Sequence, residues 1–591
     1  MPKDEKKPDT SGLDLLGDAK EEDVLSPGFI WKLYQKGLSF NNSINLEETV
    51  KVNENFFIGK QWEGVQANGL PTPVFNILKR VCCFIVATIS SENIKINASP
   101  LSATAGTKQL VEPARIVNEE LDALTERNTI PALMREYARN AAVDGDSCTY
   151  TYWDPEFDTG QDAKGRICTE IIENTRVHFG NPNDRHVQSQ PYILIAKREI
   201  VGFVQKEAKN NGAKGYEGIK PDVDDTFPDS AKQMDDKVTT LLLLWRDNDT
   251  GEIWAQKVCK GCIVREAWNL NIRRYPITWL NWDYIQDCYH GQAMITGLIP
   301  NQIFINKMYA MSQLSLMTTA YPKVVYDKTR VSKWDNRIGA AIPIQGGDVN
   351  NVAKIMDPAT ISPQISQFIQ LTVEQTEQSL GATSVALGDT RPDNTSAIIA
   401  LQRAAATPSE ITKQNLYQSI EDLYRIYIEF MAEYYGKRYV DMPTPPQVEQ
   451  ALQFIQQDVP AEVPMEFDFK TLKDMPMDLK LDVGASSYYS EIASIQTLDN
   501  LLKMNKISTK QYLERIPDGY IPGRRELIQE IEQQEKQALQ MQMGMMPEGK
   551  QQLPSGEQVA GEQGKPDIPT GGGYSALQRK VNETGTTAGM V

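Results

Sequence analysis

Cys259 and Cys262, separated by Lys260-Gly261, have the spacing at which two thiolates hold half of a tetrahedral zinc, and Cys288 and His290 follow 26 and 28 residues after Cys262. A second close pair is missing, and Gly261 suits a hairpin turn between IWAQKV and IVREAW, so the plainer reading is two reduced thiols at a turn. Asp144/Asp146 and Asp224/Asp225 are the carboxylate pairs within reach of acid–base or two-metal chemistry. Acids in such Gly- and Pro-rich surroundings usually end helices or make turns. The three histidines, His178, His186 and His290, have no partner at a ligating spacing and read as ordinary surface or partly buried imidazoles. G-x-x-x-x-G-K-[ST], G-x-G-x-x-G opening a helix, G-x-S-x-G and H-E-x-x-H are all absent, and the nearest approach to the first, Gly544 to Lys550, ends in Gln551. The chain therefore reads as no enzyme, with no cofactor and no metal. A metal-dependent nuclease built on Cys259/Cys262 or on the acidic pairs is the enzymatic alternative.

Composition narrows the classes further. With 591 residues, 40% hydrophobic and 24% charged, the chain allows about four folding units around large cores and is no collagenous, wholly disordered or disulfide-stapled protein. A net charge of -17 argues against wrapping nucleic acid by phosphate neutralisation, so any DNA contact must be local or weak. Seven cysteines and a polar start, MPKDEKKPDTSGLDLLGD, point to a reducing, cytoplasmic origin. The most apolar stretch, Gly291 to Tyr321, is interrupted by Pro300, Asn301, Gln302, Asn306 and Gln313, so it reads as a helix packed in protein and not as a membrane span.

Along the chain, Lys/Asp/Glu/Pro-rich residues 1–26 read as a disordered arm, with order beginning near Pro27. A helical pattern runs from Phe29 to Arg80, followed by the apolar run Val81 to Ile89, with Cys82 and Cys83 as core residues. Phe56-Phe57-Ile58-Gly59-Lys60-Gln61-Trp62 reads as a packing nucleus, since no basic stripe accompanies it as a base-stacking platform would need. Helix is expected from Pro113 to Ala142, kinked or split at Pro131 and stopped by Asp144-Gly145-Asp146. Between Ser147 and Trp282, CTYTYW, YILIAK, TTLLLLW and IWAQKV alternate with turn clusters and predict a β-rich domain. Helix returns over Gln292–Thr319, with Ile299, Ile303, Met308, Met311 and Leu314 expected broadly along one side. A small mixed insertion with a Gly346-Gly347 turn follows, then a helix from Ser362 to Leu380, a loop, a long helix from Ser396 toward Tyr435 disturbed at Pro408, a β-like segment from Val463 to Asp482 and helix from Ser490 to Gln540. Residues 541–591, with ten Gly and four Pro, read as a flexible tail.

Taken in order, several segments resemble the portal, or head–tail connector, proteins of tailed bacteriophages. Phe57-x-Gly59-x-Gln61-Trp62 is similar to an early aromatic-Gly-x-Gln-Trp element, followed by PVFNILKR. Asp144-Gly145-Asp146 with Tyr152-Trp153-Asp154 resembles the wing entry, and Gln302 with Asn306 before Pro322-Lys323 resembles the first stem helix and its exit. Gly381-Ala382-Thr383 through Gly388 to Asn394-Thr395-Ser396-Ala397 is similar to the passage from stem through tunnel loop into a long helix.

The resemblance implies an α+β, portal-like fold with helical stem, small α/β clip, discontinuous β-rich wing and helical C-terminal crown. It implies an N-terminal helical segment and wing over 27–290, a first stem helix at 291–320, clip at 321–360 and second stem helix at 361–380. A tunnel loop at 381–395, a long kinked helix at 396–436, a wing return at 437–489, a crown at 490–540 and the tail at 541–591 complete the scheme. Thr383, Ser384, Asp389, Arg391, Asp393 and Asn394 are the DNA-facing candidates, and Lys323 to Lys354 the first clip candidates for adaptor and terminase. The implied partners are further copies of the chain, usually twelve, double-stranded DNA in a central channel, major capsid and scaffold proteins, the terminase large subunit and head–tail adaptor or neck proteins, with no membrane. The implied place is the capsid vertex of the virion, and the implied work is conducting DNA in packaging and ejection. A minor capsid or scaffold protein without a channel is the structural alternative.

Overall fold

Ser26 accepts a hydrogen bond from Phe29 N at 3.2 Å and Pro27 fills the first turn, so helix α1 runs Pro27–Ser43. The structure is a computed structural model that describes residues 9–10, 13, 24–67, 69–90, 94–100, 111–161, 163–223, 236–320, 324–335, 337, 341–346, 348–355, 363–379, 410–443, 462–475, 477–483, 488–504, 506–516, 527–528 and 531. It divides into two units, Met1–Ser494 and Ile495–Val591.

In the first unit, α2 (Leu46–Ile58) ends at Gly59, whose φ of 95° favours a residue without Cβ, and α3 (Ile77–Ser90) takes up the apolar run after Arg80, burying Cys82 but, against expectation, leaving Cys83 exposed on its outer side. Strand β1 (Ile94–Pro100) leads to α4 (Val111–Arg127) and α5 (Ile130–Asp144). The expected helical stretch is thus split, as Pro131 foretold. Pro131 lies in the first turn of α5, where a missing N–H leaves nothing unpaired. α5 stops at Gly145, with φ 99°.

The β-rich region contains β2 (Asp146–Asp154), β3 (Arg166–Ile172), β4 (Val177–Phe179), β5 (Tyr192–Ile200), helix α6 (Val201–Asn210), β6 (Lys237–Arg246), β7 (Ile253–Cys259), β8 (Cys262–Asn269) and β9 (Ile277–Asn281). The strands form two antiparallel sheets, ordered β3-β2-β9 and β4-β5-β6-β7-β8. Strand β6 is apolar on both faces because both are covered. Leu244 joins the main core, whereas Leu241, Leu243 and Trp245 face a second core completed by Ile30, Leu33 and Tyr34 of α1. Leu13 and Val24, inside the stretch expected as a disordered arm, are buried in that second core, and Trp245 Nε1 donates to Asp9 O at 3.3 Å.

The long apolar helix is α7 (Ile299–Ala320), followed by the short antiparallel pair β10 (Val324–Tyr326) and β11 (Ala353–Ile355) and by α8 (Pro363–Ser379). α8 packs on α7 through an edge-to-face contact of Phe368 with Phe304 and a 3.3 Å bond from Asn301 Nδ2 to Thr376 Oγ1. The one-sided stripe expected on α7 is corrected. Its buried positions are Ile299, Gln302, Ile305, Asn306 and Ala310, while Met311 (67% exposed), Leu314, Leu316 and Met317 face outward. A helix apolar on nearly all sides gives no period from which to choose its inner face.

α9 (Glu410–Phe430) buries Leu416, Ile420, Leu423, Tyr427 and Phe430 at helical spacing, and its end widens into a π-helical turn over Met431–Tyr435. Pro408 and the loop before it lie outside the described residues. β12 (Lys437–Pro443) pairs with β13 (Glu462–Asp468), and β14 (Met477–Val483) pairs with β1. The late β segment therefore shares the main core, through Phe469, Leu472 and Leu479, without joining the ladders of either larger sheet.

α10 (Tyr488–Lys503) runs across the division into the second unit. There α11 (Thr509–Arg515) opens with a capping box between Ser508 and Gln511, and Tyr512 donates to Asp499. No helix among the described residues is long and apolar enough to cross a membrane.

Candidate functional site

The residues singled out around Phe57–Trp62 and on the long apolar helix meet in one buried amide network. Positive φ at Gly59 turns the chain away from the end of α2, leaving the carbonyls of Phe56 and Phe57 without helical partners. Gln61 Nε2 donates to Phe56 O at 3.0 Å, and Asn76 Nδ2 donates to Phe56 O and Phe57 O at 3.1 and 2.9 Å. Asn76 also starts α3, its Oδ1 accepting from Lys79 N at 3.0 Å. Trp62 Nε1, donating to Pro73 O at 2.9 Å, pins the intervening loop.

Gln302 and Asn306 stand one turn apart on α7 and are both fully buried. Gln302 Oε1 accepts from Ile77 N, and its Nε2 donates to Phe75 O at 2.6 Å and to Asn306 Oδ1 at 3.0 Å. Asn306 Nδ2 then donates to Gln61 Oε1 at 2.6 Å. The side-chain amide atoms of Gln61, Gln302 and Asn306 are all paired, so the network fixes where α7 sits against α2 and α3.

A second network surrounds Gly145. Asp146 is buried, its Oδ1 accepting from Gly291 N and Asn281 Nδ2 at 2.7 Å each and its Oδ2 lying 2.8 Å from His290 Nδ1. A Cβ at Gly145 would lie 2.8 Å from Gly291 O, and one at Gly291 would lie 2.6 Å from Asp283 O. The two glycines therefore allow the end of α5 and the approach to α7 to touch backbone to backbone. Asn53 of α2 extends this contact, donating to Val143 O and Thr296 Oγ1 at 2.9 Å each.

Asp144 sits beside Glu54, which Arg139 grips with two hydrogen bonds of 2.5 and 2.7 Å. Burial, then the neighbouring Glu54 carboxylate, pushes Asp144 up to about 8. The two acids of the Asp144/Asp146 pair thus serve different surroundings and do not converge as a two-metal site would require. Asp224 and Asp225 lie outside the described residues.

The expected surface histidines are corrected for two of the three. His290 and His178 are fully buried, and His186 is exposed. Phe40, Trp279 and Tyr289 enclose the His290 ring, and Gly37 leaves room for His178, since a Cβ there would lie 2.6 Å from the imidazole. Cys259 and Cys262 face each other across the two-residue turn Lys260-Gly261, with φ 84° at Gly261. Burial pushes the Cys259 thiol up to about 12, which disfavours the thiolate a metal needs. Among the described residues no three His, Cys, Asp or Glu side chains gather as a metal-binding group.

Of the family-motif positions, the structure thus brings together Gly59, Gln61, Gln302 and Asn306 in one network and Gly145 and Asp146 in the other. Phe57 contributes a carbonyl and a ring on which the Arg139 guanidinium stacks at 4.8 Å. Gly381, Gly388, Asn394 and Ser396, and the candidates Thr383, Ser384, Asp389, Arg391 and Asp393, lie outside the described residues. Asn53, Asn281 and the pairing of His290 with Asp146 escaped sequence reasoning, because nothing in one sequence separates a buried amide from a surface one.

The fold is a mixed helix-and-sheet architecture whose long apolar helix is locked to the N-terminal helices by amides. Residues 203–567 match the family model described as phage P22-like portal protein, and the chain belongs to that family. That makes it a phage portal protein: a capsid-associated, oligomeric component of the virion, from a family that is structural and not enzymatic. Gln302 and Asn306 fall inside the matched span, and Gln61 and the Asp144–Asp146 turn fall before it. A search of curated proteins returned no match.

Proposed function

We propose that copies of this chain form a ring, usually of twelve, at a single capsid vertex. DNA passes through the centre during packaging and ejection, and the rim docks terminase and head–tail adaptors. The observation that carries this reading is the outward apolar half of α7. Met311, Leu314, Leu316 and Met317 are exposed on a helix whose other side is anchored by Gln302 and Asn306, and Phe368 and Leu371 add exposed apolar surface on α8. Apolar area of this kind is covered when helices of neighbouring copies pack side by side.

On this reading α7 and α8 are the stem helices, the β10–β11 insertion is part of the clip, and the two sheets with α6 form the wing. Residues 437–489 return to that wing, 490–540 form the crown, and 541–591 form the tail. Thr383, Ser384, Asp389, Arg391, Asp393 and Asn394 face the DNA. Twelve copies at -17 each carry roughly -200 charges, which suits a channel that lets phosphate slide without adhering. The capsid, scaffold, terminase and neck proteins are its partners, and the motor is a separate protein.

Light scattering with negative-stain imaging of the purified chain tests the reading. Annular particles near 800 kDa, twelve times 66.4 kDa, with an open centre are expected. A compact monomer or dimer that stays so when co-expressed with scaffold would overturn it and favour a non-channel minor capsid protein.

A further inference from the structure

Between the two sheets of the β-domain lies a cleft of about 720 Å³, floored by β2 and β5 and closed at one side by Phe430 and Tyr434 at the end of α9. That volume is typical of sites for small organic ligands. Three cations line it, and two are neutralised within the protein. Lys197 is bound by Glu170, and Lys257 by Glu199 and Glu207 at 2.7 and 2.8 Å. The third, Arg265, has no carboxylate within ion-pair distance among the described residues.

Its place in the ladder sharpens the contrast. Arg265 pairs directly with Lys257 across β7 and β8, beside a register shift that re-aims the strand. Like charges at opposed positions are unfavourable unless compensated; Glu207 bonds Lys257 directly and attracts Arg265 only from farther off, so Arg265 is the less compensated of the two. The Arg265 guanidinium lies over the Trp268 ring at 3.8 Å, and partial burial, the largest influence, lowers its pKa. Flat aromatic surface continues around the cleft in the stacked pairs Tyr150–Tyr152 and Trp153–Tyr434.

We infer that this cleft binds a small planar-ringed anion, its carboxylate or phosphate held by Arg265 and its ring laid against the Trp268 side of the aromatic wall. The inference is independent of the ring reading above, since every residue it uses belongs to one chain. Bound there, such a molecule bridges two sheets that share no ladder.

Isothermal titration of the full-length chain with naphthalene-2-carboxylate and its uncharged isostere naphthalene-2-carboxamide tests it. The carboxylate is expected to bind at one site per chain, about tenfold tighter than the carboxamide, as one partly exposed charge-assisted contact predicts. Arg265→Gln is expected to abolish that preference while far-UV circular dichroism stays unchanged, and Trp268→Leu to weaken both probes. Absence of saturable binding, equal affinity for the two probes on the unaltered chain, or an undiminished preference in Arg265→Gln would each overturn the assignment.

Discussion

Asn306 Nδ2 donates to Gln61 Oε1 at 2.6 Å, across 245 residues of sequence, and both side chains are buried. This bond joins an N-terminal loop to the long apolar helix α7, and each partner has further bonds that the other cannot replace. Asn306→Leu leaves Gln61 Oε1 and the second hydrogen of Gln302 Nε2 unpaired in a dry site, an expected loss of about 1–3 kcal/mol. Gln61→Leu combined with Asn306→Leu should cost less than the sum of the two single changes. Chemical denaturation of the four proteins measures that coupling, and strict additivity would show that the bond is incidental.

Gly59 and Gly145 both have φ near 95–100°, but only one is crowded. At Gly59 nothing lies within 4 Å of an added Cβ, so Gly59→Ala should cost only the backbone term, about 1–2 kcal/mol. Gly145→Ala adds a 2.8 Å approach to Gly291 O, which backbone must relieve, and should be the more damaging. Equal thermal shifts for the two variants would contradict the close packing of α5 against the approach to α7.

Asp144 gives a pH signature of known sign. Its pKa in the folded chain is raised to about 8, so its protonated form contributes stability fully present below about 4 and lost as pH rises through 8. Asp144→Asn, which keeps the neutral shape, should be more stable than the parent at pH 8.5, by on the order of 5 kcal/mol if the full shift is realised, and nearly equal to it at pH 4. Melting curves across that range decide it, and a parallel offset at every pH would assign the effect to something other than ionisation.

The outward apolar side of α7 predicts a separation of folding from assembly. Leu316→Glu with Met317→Glu changes only exposed positions, 61% and 53% accessible, so circular dichroism should be unaltered while large particles disappear from light scattering. Particles of unchanged mass would move the contact between copies elsewhere on the chain.

Much of this was legible in the residues. The split at Pro131, the stop at Gly145 and the β7–β8 hairpin at Gly261 follow from backbone rules that depend on one or two residues. The TTLLLLW run was legible as a strand, but that both its faces are covered emerges only from the two cores that meet it. What was hidden depends on partners distant in sequence. Nothing near Leu13 or Val24 shows that Trp245 and Tyr34 will receive them, and nothing near His290 points to Asp146. The inward face of α7 was hidden for a different reason. Its buried side is marked by amides, Gln302 and Asn306, which a hydrophobic period counts as outward. Only their likeness to a family pattern set them apart.

The pairing of β1 with β14 also has a kinetic side. Ser99 and Asp478 are bonded across 379 residues, so β1 leaves the ribosome long before its ladder partner β14 exists. At about 5–20 residues per second that interval is roughly 20–75 s, during which Ile94–Pro100 carries a free hydrogen-bonding edge. Nascent chains held side by side on one message would therefore present matching unpaired strands to one another, and the last part of the first unit to be made is what removes that hazard.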